Sequence, residues 1–238
     1  MRVAERVGQA VLEMTTGPDP DAAIDRHYAP DFIQHSPIFP GGRDGLKAMV
    51  KQAKDSGATY ELLQAIGEGD HAVLFARVTG LAEEPVLLFN FYRVAGDVIA
   101  EHWEGIQPES LRATGDPLMP EGHAQITDLD RTAQNRDLVR DLIEKVLIGG
   151  NVAIIDDYVD EDKLIHHNPL PLDNSVEYVR LHRIIAEGNF VFSQSEGKID
   201  GVPHAILQLV RVEDGKIVEH WDVATAVPAQ LQHDNGIF

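Results

Sequence analysis

The chain has 238 residues, more than a common domain of roughly 100–150, so one large domain or two small ones are both open. With 43% hydrophobic residues, 25% charged residues and no cysteine, it is neither a disordered nor a fibrous chain, and it has no disulfide scaffold, thiolate zinc site or cysteine nucleophile. A formal net charge of −19 with no Lys/Arg-rich run argues against nucleic acid and against anionic lipid as partners.

The N-terminal stretch Met1 to Thr16 is broken by Arg2, Glu5, Arg6 and Glu13, so it is not read as a signal peptide. No segment approaches the ~20 apolar residues of a membrane span. The expected location is cytoplasmic, with no membrane partner.

In chain order, Val3, Val7, Val11 and Met14 form one stripe and predict a helix from Val3 to about Met14, ended by Gly17-Pro18. Asp19 or Asp21 caps a short second helix through Tyr28. Phe32–His35 reads as a short strand before Pro37. Asp44 is the expected cap of a third helix, Gly45 to Asp55, ended by Gly57. The period then changes to two. Tyr60–Glu68, His71–Val78, Val86–Val94 and Val98–Gln107 predict four antiparallel strands joined by tight turns, among them Gly69-Asp70 and Gly96-Asp97.

The second half begins again. Helices are expected at about Thr132–Leu147 and Val152–Tyr158, a strand near Leu164–His167, and a closing hairpin with Asp214-Gly215 at its tip. The resemblance between the halves is direct. RVAGDVIAEHWE at 93–104 answers RVEDGKIVEHWD at 211–222, with six of twelve positions identical. GEGD at 67–70 answers AEGN at 186–189, and QHSP at 34–37 answers HHNP at 166–169. Three matches in one order predict a tandem duplication. The expected divisions are a first domain over 1–110, a Pro/Gly-containing linker over 111–130 and a second domain over 131–238. From His35 to Glu68 is 33 positions, but from His167 to Glu187 only 20. The shortfall is about one helix, so the second copy is expected to lack its third helix.

On a strand, alternate residues share a face, so His102 with Glu104, and His220 with Asp222, project together. A carboxylate and an imidazole aimed into an apolar pocket are what proton abstraction beside a carbonyl needs, because burial raises the carboxyl's pKa. Trp103 and Trp221 fall on the opposite face as packing residues. Of the pair His166–His167 at most one can join His220 and Asp222 in a metal site, because neighbouring strand residues point to opposite sides, and no metal is expected.

LVRVEDGKIVEHWDV at 209–223, YAPDFIQHSP at 28–37 and the GEGD and AEGN turns closely resemble the SnoaL-like proteins of the NTF2-like superfamily. The resemblance implies an α+β fold of two cone-shaped domains, each a curved antiparallel sheet with helices enclosing a pocket. It implies a cyclase or isomerase type of acid/base enzyme, without cofactor, acting next to a carbonyl of a small hydrophobic substrate. A non-catalytic ligand-binding or scaffold protein of the same fold is the rival. In the polyketide cyclases of that family the last strand carries an acid/base aspartate, matched by Asp222 and, as glutamate, by Glu104. His220 and His102 stand beside them. The pocket residue fourteen positions earlier falls on Gln208 and Asn90, amides that hold an oxygen but cannot shuttle a proton. The H-x-P element at the pocket entrance matches His35 and His167. Domains of this kind commonly pair through the outer sheet face, which implies an intramolecular pseudo-dimer with the two tryptophans at the interface, and further homo-oligomers.

Overall fold

A computed structural model of the protein describes residues 1–109, 122–167 and 175–238. The chain forms two compact units, Met1–Ser110 together with Pro228–Phe238, and Leu111–Val227. Most of the expected linker lies outside the described residues, as does the Asn168-Pro169 part of the second H-x-P element.

In the first unit, α1 (Val3–Thr16) buries Ala4, Val7, Val11 and Met14 along one stripe, the spacing of a helix with one apolar face. Helix α2 (Pro20–His27) starts where Asp19 accepts the Ala22 N–H at 3.1 Å, with proline in the first turn. Strand β1 (Tyr28–Gln34) follows, then α3 (Gly42–Asp55), which begins behind Gly41 rather than at Asp44. Asp44 instead sits in the first turn, where a carboxylate complements the free N–H groups. Strands β2 (Thr59–Glu68), β3 (His71–Thr79), β4 (Val86–Ala95) and β5 (Val98–Pro108) complete a sheet of order β1-β5-β4-β3-β2. The sheet is mixed: the meander is antiparallel, and β1 lies parallel to β5 at its edge. One apolar core joins the three helices to one face of this sheet through Ile24, Phe32, Leu46, Leu74 and Tyr92.

The second unit repeats that order as β6-β10-β9-β8-β7. Helix α4 (Thr132–Asp141) runs on as a π-helical segment, Leu142–Ile148, and Val152–Asp157 is a short 3-10 turn. The strands are β6 (Ile165–His167), β7 (Val176–Glu187), β8 (Phe190–Ile199), β9 (Val202–Glu213) and β10 (Lys216–Ala226). The last turn carries positive φ at both Asp214 and Gly215, which is the type I′ geometry that pairs two twisted strands. Only residues 168–175 separate β6 from β7, whereas α3 and its flanks fill the corresponding interval of the first unit.

Residues 228–238, expected with the second domain, belong to the first unit. His233 is bonded at two backbone positions there: its Nε2 lies 2.8 Å from Ser36 O and its Nδ1 accepts from the Asn235 N–H at 3.3 Å.

Candidate functional site

A cavity lies against the sheet of each unit. The first, about 90 Å³, is walled by α1, α3 and the sheet, and its polar end is made by Asn90, His102, Glu104, Tyr28 and Tyr60. Asn90 on β4 lies directly across from Glu104 on β5, so the strand pairing itself sets the two side chains side by side.

Glu104 is buried and accepts a hydrogen bond from the Ser36 hydroxyl. Burial pushes its carboxyl up to about 7, the Ser36 hydrogen bond pulling the other way. Loss of water around a charge outweighs one neutral donor. His102 is pushed down to about 3 by burial, with His35 adding a small repulsion, so the ring is neutral. It is pinned on both sides, Nδ1 2.9 Å from Gln34 Oε1 and Nε2 3.0 Å from Asn90 Oδ1, and Tyr92 stacks on it at 4.6 Å. A neutral imidazole has one N–H, so one of the two amides must turn its NH2 toward the ring. His102 is thus a spacer that fixes Asn90, not a proton carrier at neutral pH.

Among the described residues, two hydroxyls at this end have no hydrogen-bond partner: Tyr28 Oη and Tyr60 Oη. Burial holds both phenols protonated, raising them well above the ordinary tyrosine value, and the charge of Glu104 raises Tyr60 further. Buried donors left unpaired cost about 1–3 kcal/mol each, and they face a cavity where a substrate oxygen would satisfy them.

The second cavity, about 630 Å³, is walled by α4, its π-helical continuation and the sheet, with Tyr178, Gln208, His166, His220, Asp222 and Glu161 as its polar groups. Gln208 lies across from Asp222 and donates to its Oδ1 at 2.9 Å. His220 Nε2 is 2.9 Å from the same oxygen. Burial opposes protonation of His220, but the Asp222 charge and hydrogen bond outweigh it, and its pKa ends raised. The Tyr178 hydroxyl is bonded to Gln208. His166, edge-on to His220 with ring centres 6.0 Å apart, stands where Gln34 stands in the first unit, each being the β-partner of the buried histidine.

Glu104, His102 and Asn90 therefore meet in one cavity, and Asp222, His220 and Gln208 in the other. His35 and His167, the remaining two sequence candidates, line neither cavity. Gln34 and His166, their chain neighbours, take the inward positions on the strands, so His35 and His167 face the other way. His35 stacks on Trp103 at 4.5 Å with its Nδ1 3.0 Å from Gly236 O. His167 stacks on Trp221 at 4.7 Å and bonds Glu219 at 2.9 Å. On that outer face Glu219 is held down to about 2: burial opposes ionisation, but hydrogen bonds from His167, Arg211 and His123 prevail.

Sequence reasoning missed the tyrosines and Ser36. Tyr60 to Tyr178 is the same step of 118 positions as Asn90 to Gln208, His102 to His220 and Glu104 to Asp222, and that constant offset was the available signal.

Residues 9–102 match the SnoaL-like domain family. No curated protein matches the chain. Among solved structures, TsrD from Streptomyces laurentii is 17% identical, covering 44% of this chain and 88% of its own at a TM-score of 0.38. IdmH from Streptomyces antibioticus is 15% identical (45% and 93%, TM-score 0.38). A protein of ketosteroid isomerase-like fold from Catenulispora acidiphila, solved with trimethylamine, is 19% identical (42% and 83%, TM-score 0.36). The family match lies within the first unit, and the two five-stranded sheets of one strand order fit a tandem duplication.

Proposed function

We propose that the first unit is a cofactor-independent acid/base enzyme, of isomerase or aldol-cyclase type, that moves a proton beside the carbonyl of a small apolar substrate. The observation that carries this reading is Glu104: a carboxyl poised at about 7 in an apolar cavity, facing buried phenol donors that have no partner. A base is most effective when its pKa lies near the working pH. The Glu104 carboxylate takes the proton from the carbon next to the carbonyl. The C–H electron pair moves into the carbonyl, and the oxygen becomes an enolate held by the Tyr60 and Tyr28 hydroxyls. Protonated Glu104 then returns the proton to another carbon, or the enolate carbon attacks a second carbonyl and closes a ring, and the new alkoxide takes the proton back from Glu104. A SnoaL-like domain supports a cyclase or isomerase kind of function. An apolar cavity of ~150 Å³ takes a benzene ring, so about 90 Å³ suits a substrate, or the reacting end of one, of only a few heavy atoms.

The test is α-proton exchange of small cyclic and open-chain ketones in D2O, followed by NMR. The expected rate rises with pH through a midpoint near 7 and falls by ~10²–10⁴-fold in Glu104→Gln. Exchange that survives that substitution in full overturns the assignment.

The second cavity favours binding without turnover. Gln208 and His220 both bond Asp222 Oδ1, so this carboxylate is already engaged by neighbouring side chains. Its volume of about 630 Å³ falls in the ~300–1,000 Å³ class that encloses a drug-sized apolar ligand.

A further inference from the structure

We infer that residues 228–238 are a positioning element of the Glu104 site: they hold the backbone of Gln34–Ile38 from outside, so that the Ser36 and Gln34 side chains stay on Glu104 and His102 inside. Four hydrogen bonds make the hold. The Asn235 amide donates to Gln34 O at 2.9 Å, His233 donates from Nε2 to Ser36 O at 2.8 Å, and the Gln232 amide donates to Ile38 O at 3.0 Å. His35 Nδ1 meets Gly236 O at 3.0 Å. Ile237 is buried, which anchors the end of the segment by packing.

The inner side of the same five residues carries the site's supports. Ser36 is fully buried, donates its hydroxyl to Glu104, and accepts at that oxygen from the Ile38 N–H at 3.3 Å. Its own N–H donates to Gln34 Oε1 at 3.1 Å, the oxygen that also meets His102. The last strand bond of the segment is the His35 N–H to His102 O at 2.8 Å, and beyond it the Ser36 carbonyl is bonded by the tail. A residue that orients another through a hydrogen bond must itself be held to a few tenths of an ångström.

The consequence is read on Glu104 itself, and rests on the proposed reaction only for its effect on turnover. The titratable groups around Glu104 are Tyr28, Tyr60, Tyr92 and His102, with Lys54 on the wall of the same cavity. The Ser36 hydrogen bond favours the ionised carboxyl, so loosening it raises the midpoint. The experiment is a titration of Glu104 in the full chain by its infrared carboxyl band, with Glu104→Gln as the blank. His233→Ala with Asn235→Ala is expected to raise the midpoint by about one unit, and Ser36→Ala to do the same. The tail substitutions are expected to add nothing in the Ser36→Ala background, because both act through one bond. His233→Gln, which keeps a donor at the place of Nε2, is expected to restore the wild-type midpoint. An unmoved midpoint overturns the inference, as does a tail shift that adds in full to that of Ser36→Ala. If the double variant fails to fold, the single His233→Ala is judged by the same two outcomes. The titration does not need turnover: an exchange-competent Glu104→Gln protein would remove the proposed reaction and leave the midpoint result to stand alone.

Discussion

Glu104 and Asp222 hold equivalent strand positions, yet their surroundings treat the proton differently. Glu104 has one neutral donor and an apolar wall, so its carboxyl is raised to about 7. Asp222 has an imidazole and an amide on one oxygen, and it is His220 that is raised. The sign for stability follows. A carboxyl with its folded pKa above the ordinary 4.5 stabilises the fold below the unfolded value, and that contribution disappears as pH climbs through 7. Glu104→Gln removes the cost of burying the charge, so relative to wild type it should gain on the order of 3 kcal/mol between pH 4 and pH 8, measured as the difference of urea melts. For His220 the elevated pKa helps the fold at low pH and ceases to help above it. Asp222→Asn leaves only burial acting on the ring, so its NMR titration midpoint should drop below the ordinary histidine value of about 6.5. Tyr60→Phe should cut exchange by roughly 10²-fold while leaving stability equal or higher, because the hydroxyl it removes has no partner to lose.

At the scale of elements, α3 decides the size of the first cavity. Its Leu46 is buried and lines the wall, so Leu46→Ala should cost about 2–4 kcal/mol in a urea melt and shift exchange toward larger ketones. The four-strand meander of the first unit and most of its strand limits were legible in the sequence, because alternation of apolar and polar residues is a local signal that pleating imposes directly. The His102–Glu104 and His220–Asp222 faces followed from that same alternation. Two things were hidden. Tyr28 and Tyr60 are ordinary strand residues by composition, and only the three-dimensional meeting of β1, β2 and β5 makes them neighbours of Glu104. The inward residue of the H-x-P element was misread because its phase depends on where β1 ends: Gln34 and His166 pair with the buried histidines, and their neighbours His35 and His167 turn outward. The π-helical stretch after α4 was read as continuous helix, since hydrophobic spacing does not separate 3.6 from slightly wider turns over seven residues.

Across the whole chain, duplication accounts for the constant offset of 118 between the two polar clusters, and loss of an interval after β6 accompanies a cavity of about 630 Å³ in place of 90. A large apolar dye should therefore bind with one-to-one stoichiometry and be displaced by bulk introduced at Val210 or Ile217, which line the second cavity, but not at Leu46. The tail was invisible to sequence reasoning, because residues 228–238 have no period and their hydrogen bonds go to a segment nearly two hundred positions away. That distance has a consequence for biosynthesis. Most of the first unit leaves the ribosome ahead of the second, yet its last eleven residues follow the 117 of Leu111–Val227. At roughly 5–20 residues per second the nascent domain waits some 6–23 s for its missing piece, so it starts to fold before the second unit and is finished after it.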